Sequence, residues 1–421
     1  MDDGEIKQVE EIRNRIGSLE SELLKQKELL AQHAQAISTD LAENRRYAVS
    51  AEAGEKDVVE ACCNSLERYG FAVVDNVIPV EKISTVREEV ELAGPLIEGN
   101  LKAIRDYIGT NGGEEEKRSL LQLAQKDQKE KLELRAVRRR HYGPKPPNDI
   151  VWMPEYASFL AHPLLLQIAQ RMLDEHLKIA QLHLRPIAAN SSDGTPGGFG
   201  RAADRGRPDT REWHTDWPHD LSAYGAGNAQ TNAGCIRQPF PDVPMCLVMI
   251  WYLTDVDEDS GGTWVVPGSH RDPRNPRGPS DDITVSAPIT GDMQISAKAG
   301  SVFIQDSRTW HASAMHNTSG KTRIAVVNRW CPWWMSVDDY APGGTLNTVC
   351  RPLSQEEYST LPKPLQPLMR HLCPEEFDEI QQPVLDRAEA ARARTAWGFE
   401  QLRRAPEKLR HANAHVRVPI I

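Results

Sequence analysis

Short apolar segments separated by turns run through the middle of the chain, from residue 178 to residue 332. They are rich in β-branched and aromatic residues and are bounded by glycine or proline, a pattern typical of β-strands. Because no helical pattern comes between them, they predict an antiparallel sandwich or jelly roll. The predicted strands cover residues 178–189, 212–217, 246–256, 262–267, 283–287, 293–297, 301–305, 310–316 and 323–332.

A different periodicity occupies residues 5–46. Apolar residues recur there in alternating steps of three and four, and polar Gln26 and His33 interrupt the series. This heptad pattern predicts one long coiled-coil helix, through which a homo-oligomer could assemble. The alternative is an amphipathic helix that packs on its own domain. The apolar seam consists of Val9, Ile12, Ile16, Leu19, Leu23, Leu30 and Ile37.

These two patterns divide the 421 residues into three parts. We expect a coiled-coil helix at 1–50, a β domain with helical insertions at 55–345 and a helical extension at 346–421. Before the predicted sheet, a linker at 51–56 leads to a helix at about 57–69, a strand at 71–78 and a helix at 79–93. The extension contains a capping-box pattern that starts at Ser354. The fold class is therefore mainly β with helical extensions.

Charge and composition argue against several kinds of partner. The formal net charge of −10 gives no electrostatic reason to expect binding to nucleic acid or to an anionic membrane. We find no stretch apolar enough to span a bilayer and no secretory or peroxisomal signal, so a cytoplasmic location is expected. The seven cysteines lack the spacing of a zinc site, which indicates free thiols in a reducing compartment.

One short segment, His-Thr-Asp at 214–216, carries a candidate pair of metal ligands between two tryptophans. Residues two apart on a strand point to the same face, so His214 and Asp216 are expected to face inward together. Imidazole nitrogen combined with carboxylate oxygen suits iron(II), and two histidines with one carboxylate leave positions open for an oxo acid and dioxygen. His311 is the candidate for the third ligand.

A second His-x-Asp sequence, His270 and Asp272, is the alternative pair. It lies among glycine and prolines, which favour a loop. The aromatic neighbours of His214 and Asp216 favour a strand, so that pair is preferred. On the motif alone, a hydrogen-bonded histidine beside an exposed aspartate is an equally good interpretation.

Together these residues resemble the phytanoyl-CoA dioxygenase-like family of iron(II)- and 2-oxoglutarate-dependent oxygenases. Residues 260–270 look like the family's glycine-rich turn, strand and Pro-Gly-Ser-His loop, and residues 70–78 look like the strand that opens its domain. The resemblance covers about residues 55–340 and implies a double-stranded β-helix, which is a cupin-like jelly roll. It also implies hydroxylation of a C–H bond of a small-molecule substrate, with release of succinate and CO2.

The resemblance also assigns roles to individual positions. It implies that His214, Asp216 and His311 bind iron(II) and that dioxygen is a cosubstrate. Arg323 would hold the distal carboxylate of 2-oxoglutarate, since an arginine fork matches a carboxylate. Ser313 would support Arg323. In the related halogenating enzymes a small residue replaces the carboxylate, so Asp216 favours hydroxylation.

Two further assignments complete the expected site. Trp251 is placed as an aromatic wall beside the cosubstrate. The interval from His311 to Arg323 is one residue longer than expected, so Lys321 and Arg329 are the other candidates for the carboxylate clamp. The alternative class is a cupin-type metal-binding scaffold or isomerase without oxygenase activity, in which the coiled coil mediates assembly.

Overall fold

The structure is a computed structural model that describes residues 3–109, 149–184, 186–192, 211, 213–216, 218, 242–272, 276, 288–314, 316–335 and 353–373. Its helices are α1 (Asp3–Asn44), α2 (Glu55–Tyr69), α3 (Val80–Gly109), α4 (Pro154–Leu160), α5 (Pro163–Met172), α6 (Gln355–Thr360) and α7 (Gln366–Met369). Shorter 3-10 helices cover Asp149–Trp152, Ser269–Arg271 and Arg370–Leu372. None of the described helices is long and apolar enough to cross a membrane.

The strands form two sheets. They are β1 (Ala48–Ser50), β2 (Phe71–Asp75), β3 (Leu177–Leu184), β4 (Leu247–Tyr252), β5 (Trp264–Val265), β6 (Met293–Gln294), β7 (Val302–Asp306), β8 (His311–Ala312) and β9 (Ala325–Pro332). The larger sheet has the order β1-β2-β7-β4-β9-β3, and the smaller has the order β6-β5-β8. The pairings are antiparallel except that of β1 with β2.

The larger sheet is buried on both faces, and each face packs into a different core. Every residue of β4 is buried. Met249 and Trp251 point to a core shared with α2, α4 and α5. Val248 and Ile250 point to the second core, which includes residues of β5 and β6. This alternation follows from the twofold periodicity of a strand. The second face is the one that positions the site.

The N-terminal helix is seated on the domain only near its C-terminal end. There Ser38 and Leu41 are buried, and α1 contacts β6. Gly291 adopts a left-handed backbone (φ 86°), and a Cβ built on it would lie 2.9 Å from the Cβ of Ala34. Only glycine permits this close approach. The predicted seam does not pack on the domain, because its residues are 38% (Val9) to 70% (Leu30) exposed.

Most predicted elements are present, with shifted ends. The heptad helix predicted at 5–46 is α1, and the helix predicted at 79–93 extends to Gly109. The capping box at Ser354 is confirmed by both of its hydrogen bonds. The strand predicted at 212–217 is corrected: within the described residues, His214 forms an isolated bridge with His311. The predicted strand at 283–287 lies outside the described residues.

Candidate metal site

His214, Asp216 and His311 come together at one wall of a cavity between the two sheets. One possible ligand atom from each residue lies within 4.8 Å of the other two. The centroids of the two imidazole rings are 4.1 Å apart, and Oδ2 of Asp216 lies 3.4 Å from Nε2 of His311. The three residues that the sequence predicts as ligands are therefore close enough to share one ion.

Backbone hydrogen bonds bring these residues together across more than 90 positions of chain. The amide of His214 donates to the carbonyl of His311 (3.0 Å), and the amide of His311 donates back to the carbonyl of His214 (3.0 Å). The amide of Asp216 donates to the carbonyl of Ser307 (2.7 Å). A two-residue period from this bridge aims both His214 and Asp216 at the cavity. Trp213, on the opposite side, is fully buried beside Trp310 and therefore packs in the core.

The orientation of the His311 ring is fixed by its own backbone neighbourhood. Its Nδ1 lies 2.9 Å from the carbonyl oxygen of Thr309. A carbonyl only accepts hydrogen bonds, so Nδ1 carries the proton and donates it. In the neutral ring, the lone pair is then on Nε2, the atom nearer to Asp216. This tautomer is the one required for binding a metal through Nε2.

The turn between β7 and β8, which leads to His311, is stabilised by side-chain contacts. The side chain of Arg308 forms a buried ion pair with Asp306 (2.7 Å). The hydroxyl of Thr309 donates to the carbonyl of Gly70 (2.9 Å). Gly70 has a φ of 88°, and a Cβ built on it would lie 2.4 Å from that hydroxyl oxygen. The site thus depends on a glycine at the start of β2.

Asp216 is held as a carboxylate chiefly by Arg329. Burial alone would raise its pKa, but the charge of Arg329, followed by that of His311, outweighs burial and holds the pKa well below 3.8. Nη2 of Arg329 donates directly to Oδ1 of Asp216. The carboxylate is therefore ionised at neutral pH and one of its oxygens is already oriented. From the sequence, Arg329 was considered only as an alternative to Arg323 for binding the distal carboxylate of 2-oxoglutarate; its contact with Asp216 was not predicted.

The cavity has a volume of about 150 Å³. That is the liquid volume of about five water molecules, which is enough for a small dicarboxylic acid. The described residues that line it comprise the three candidate ligands, polar and cationic side chains, and apolar side chains. They are Ile187, His214, Asp216, Val248, Ile250, Thr263, Gln305, His311, Ser313, Arg323, Val327 and Arg329.

Arg323 lies two residues before β9, whereas Arg329 lies within that strand. Its side chain is buried, and Nη1 donates to the carbonyl of Gly261 (3.1 Å). Its guanidinium carbon lies 5.8 Å from the ring centroid of Tyr252. Ser313 lies at an exposed position on the lining. Arg323 and Ser313 thus face the same cavity as the triad, whereas Lys321 is exposed and is absent from the described lining.

The assignment of Trp251 to cosubstrate binding is corrected. Trp251 is fully buried in the core on the opposite face of the larger sheet. Its ring packs edge-on against Tyr156 of α4, with centroids 5.6 Å apart. Because β4 is apolar throughout, its sequence does not indicate which face lines the cavity. Ile250, the residue before Trp251, is the one that lines it.

The alternative pair, His270 and Asp272, lies elsewhere. His270 belongs to the 3-10 helix Ser269–Arg271, and its Nε2 lies 3.2 Å from the carbonyl oxygen of Glu67. Its ring also packs against Gly70. Among the described residues, neither His270 nor Asp272 lines the cavity. His270 is thus part of the support beneath the turn that carries His311.

One cavity residue was missed from the sequence. Gln305 of β7 is fully buried, and neither Oε1 nor Nε2 has a hydrogen-bond partner among the described residues. The signal was present: an amide directly follows three apolar residues in the strand Val-Phe-Ile-Gln-Asp, which is buried throughout. A buried polar side chain normally finds a partner, so this amide is available to a bound molecule.

The fold and the site together define a two-sheet β protein with a candidate His/Asp/His metal centre. Comparison with known families finds one similarity in this region: the sequence profile of the phytanoyl-CoA dioxygenase (PhyH) family matches residues 202–325. That range contains all three candidate ligands and Arg323. The resemblance proposed from the sequence is therefore confirmed.

Curated relatives and solved structures add more distant similarities. Uncharacterised proteins of Mycobacterium bovis (Mb1539) and Mycobacterium tuberculosis (Rv1501) are each 32% identical over 176 residues, which are 41% of this chain. The chain spans about half (50%) of the length of these relatives.

Among solved structures, HygX from Streptomyces hygroscopicus, with nickel and 2-oxoglutarate bound, is 12% identical with a TM-score of 0.37. That alignment covers 64% of this chain and 86% of HygX. The non-haem, 2-oxoglutarate-dependent carbocyclase SnoK from nogalamycin biosynthesis is 16% identical with a TM-score of 0.37, over 68% of this chain and 87% of SnoK.

Proposed function

We propose that this chain is an iron(II)- and 2-oxoglutarate-dependent dioxygenase that hydroxylates a C–H bond of a small molecule. The observation that carries the proposal is the convergence of His214, Asp216 and His311 within 4.8 Å on a cavity that also contains Arg323. The match of residues 202–325 to the phytanoyl-CoA dioxygenase family supports it.

The donor set fits iron(II). Two imidazole nitrogens and one carboxylate oxygen on one side leave the remaining positions open, which is the arrangement of non-haem iron oxygenases. Nδ1 of His311 is fixed by the Thr309 carbonyl, so its Nε2 is preset for a metal. Free cysteines among the described residues are buried, and none belongs to the candidate metal group. The set therefore favours iron over a thiolate-bound metal.

The cavity fits 2-oxoglutarate as cosubstrate. Arg323 presents a buried cation for the distal carboxylate, and Ser313 adds a hydroxyl. Val248, Ile250 and Val327 form an apolar wall that limits water around the reacting centre. With iron bound, the centre would couple 2-oxoglutarate and dioxygen to the substrate: R–H + 2-oxoglutarate + O2 gives R–OH + succinate + CO2.

The direct test measures binding and turnover in turn. Iron(II) and 2-oxoglutarate are added anaerobically, and a weak visible charge-transfer band is expected. Candidate metabolites are then screened in air for stimulated succinate release. Asp216→Ala should abolish both signals. If the wild-type protein, loaded with one equivalent of iron(II), gives neither the band nor succinate, the proposal is wrong.

A metal-binding scaffold without turnover is the second candidate function. The observation that favours it is the ion pair between Arg329 and Asp216, which satisfies the carboxylate from within the protein. A scaffold would bind iron(II) but show no 2-oxoglutarate-dependent band. The same anaerobic experiment therefore separates the two functions.

A further inference from the structure

The exposed seam of α1 is an unpartnered apolar surface on a long helix. All residues from 7 to 30 are exposed, including the seam residues Ile16 (49%), Leu19 (61%) and Leu23 (56%). An apolar stripe exposed to water is unfavourable, and most of the stability of a helix comes from packing such a stripe. The seam therefore requires a packing partner.

We propose that α1 pairs with α1 of a second copy in a parallel, in-register, two-stranded coiled coil. The residues at heptad position a are all apolar: Val9, Ile16, Leu23, Leu30 and Ile37. Position d begins with Ile12 and Leu19 and continues with Gln26 and His33. The two positions thus differ in polarity along the second half of the helix.

This asymmetry selects the parallel orientation. In a parallel pair, d residues meet d residues, so Gln26 faces Gln26 of the second copy and two amides can hydrogen-bond. In an antiparallel pair, d residues meet a residues. Gln26 and His33 would then press against apolar side chains. Nε2 of Gln26 already donates to Glu22 (2.8 Å) and Nδ1 of His33 lies 2.8 Å from the Leu29 carbonyl, but the remaining polar atoms of both side chains would meet only apolar groups, which is costly.

The charges beside the seam agree with the same register. In a parallel pair, each g residue lies next to the e residue five positions later on the other helix. Arg15 then meets Glu20 of the second copy, and Glu22 meets Lys27. Both contacts have opposite signs, and the twofold symmetry repeats each of them.

The seat of α1 on the domain leaves the seam accessible. Ser38 and Leu41 are buried on the domain side, and Ala34 contacts Gly291. On a neighbouring face of the same turns, Leu30 is 70% exposed and Ile37 is 48% exposed. Ala34 and Leu41 occupy e positions, so the domain covers that flank of the seam after Leu30. A second helix can lie along the seam from Val9 to Leu30 without displacing α1 from its seat.

Two full-length charge variants test the pairing. Variant one is Glu20→Lys/Glu22→Lys, which makes all four flanking residues basic; variant two is Arg15→Glu/Lys27→Glu, which makes them all acidic. The wild type should be a dimer at micromolar concentration by analytical ultracentrifugation. Each variant alone should dimerise about 100-fold more weakly, because four attractive contacts become repulsive. An equimolar mixture should restore a dimer.

Glu11→Lys/Glu28→Lys is the matched control, because it changes the charge equally at exposed positions away from the seam and should remain dimeric. Circular dichroism checks that every variant keeps its helix. Orientation is tested with Ile12→Cys, which should cross-link to itself under mild oxidation, with the wild type as background. A monomeric or trimeric wild type, variants that dimerise normally, or a dimer without that cross-link would each overturn the proposal.

A second inference concerns Gln305, and it rests on the proposed function. Register places Gln305, Val248 and Arg329 side by side across β7, β4 and β9. Arg329 contacts Asp216, and Asp216 also bonds to the backbone of Ser307, two residues from Gln305. The Gln305 amide therefore lies at the metal end of the cavity, away from Arg323.

We infer that Nε2 of Gln305 donates a hydrogen bond to the metal-end carboxylate of the bound oxo acid. Its amide is fully buried, lines the cavity and has no partner among the described side chains and backbone groups. An amide donor suits a carboxylate and leaves Oε1 to accept from a substrate or water. Gln305 would thus be a positioning residue for the cosubstrate.

Calorimetric titration of 2-oxoglutarate into nickel-loaded protein provides the test. Gln305→Leu should raise Kd about tenfold, as expected for one hydrogen bond, and Gln305→Glu should raise it further through charge repulsion. Gln294→Leu is the control, because that half-buried amide donates to the carbonyl of Gly262 (3.0 Å) outside the described lining. If the wild type binds no 2-oxoglutarate, the proposed function fails; if all variants bind equally, only this inference fails.

Discussion

Replacing Trp251 by alanine distinguishes a core residue from a cosubstrate wall. The side chain is fully buried, and its edge-on contact with Tyr156 joins β4 to α4. Truncation of a fully buried tryptophan costs about 3–5 kcal/mol through lost burial and the cavity left behind. That is a large part of the roughly 5–15 kcal/mol by which a domain is stable. We expect the free energy of unfolding to fall by this amount.

Binding of 2-oxoglutarate, in contrast to stability, should hardly depend on the side chain at position 251. Trp251→Phe keeps a ring against Tyr156, so it should unfold at a urea concentration between those of the wild type and Trp251→Ala. Its Kd for 2-oxoglutarate, measured by calorimetry on metal-loaded protein, should remain within about twofold of wild type. Arg323→Ala serves as the positive control for the binding assay. A tenfold weaker Kd in Trp251→Phe with unchanged unfolding would refute the assignment of Trp251 to the core shared with α2, α4 and α5.

Three further results are expected. His311→Ala should lose iron(II) binding in calorimetry, whereas His270→Ala should keep it; equal loss in both would remove the reason for preferring His214 and Asp216. Arg323→Ala should raise the Kd of 2-oxoglutarate at least tenfold, and a larger effect of Arg329→Ala would move the clamp to Arg329. Because burial raises the Asp216 pKa but Arg329 and His311 bring it well below 3.8, the unfolded state binds more protons there. Metal-free wild type should therefore lose stability more steeply than Asp216→Asn as the pH falls from 5 towards 3 in urea titrations; parallel curves would contradict this.

Periodicity was the part of the sequence that predicted structure best. A seven-residue repeat sustained from Val9 to Ile37, about eight helical turns, is a long-range signal, and α1 differs from its prediction by two residues at either end. Short strands were found in the right places, but their ends depend on partner strands that a local pattern does not show. The strand predicted around His214 is reduced to one bridge for this reason.

Some residues of the candidate site were predictable from the sequence, and others were not. His214, Asp216 and His311 were predicted because their residue types and order are specific to one chemistry. The side of β4 that meets the cavity was not predictable, because Leu247–Tyr252 is apolar throughout and buried on both faces. The contact of Arg329 with Asp216 joins residues 113 positions apart and leaves no local pattern. Gln305 had a signal in its buried strand, but its place at the cavity needs the register of β7 with β4.

The close contact between Gly291 and Ala34 sets the direction in which α1 leaves the domain. The backbones of Gly291 and α1 are in direct contact, with no layer of long side chains between them. Such close packing restricts changes in the angle between them, so the exposed N-terminal half of α1 leaves the domain in a fixed direction. A methyl group added at position 291 would collide with Ala34 and would have to change the angle of α1 relative to the domain. Small-angle scattering would detect that tilt as a changed maximum dimension even if the cavity kept its chemistry.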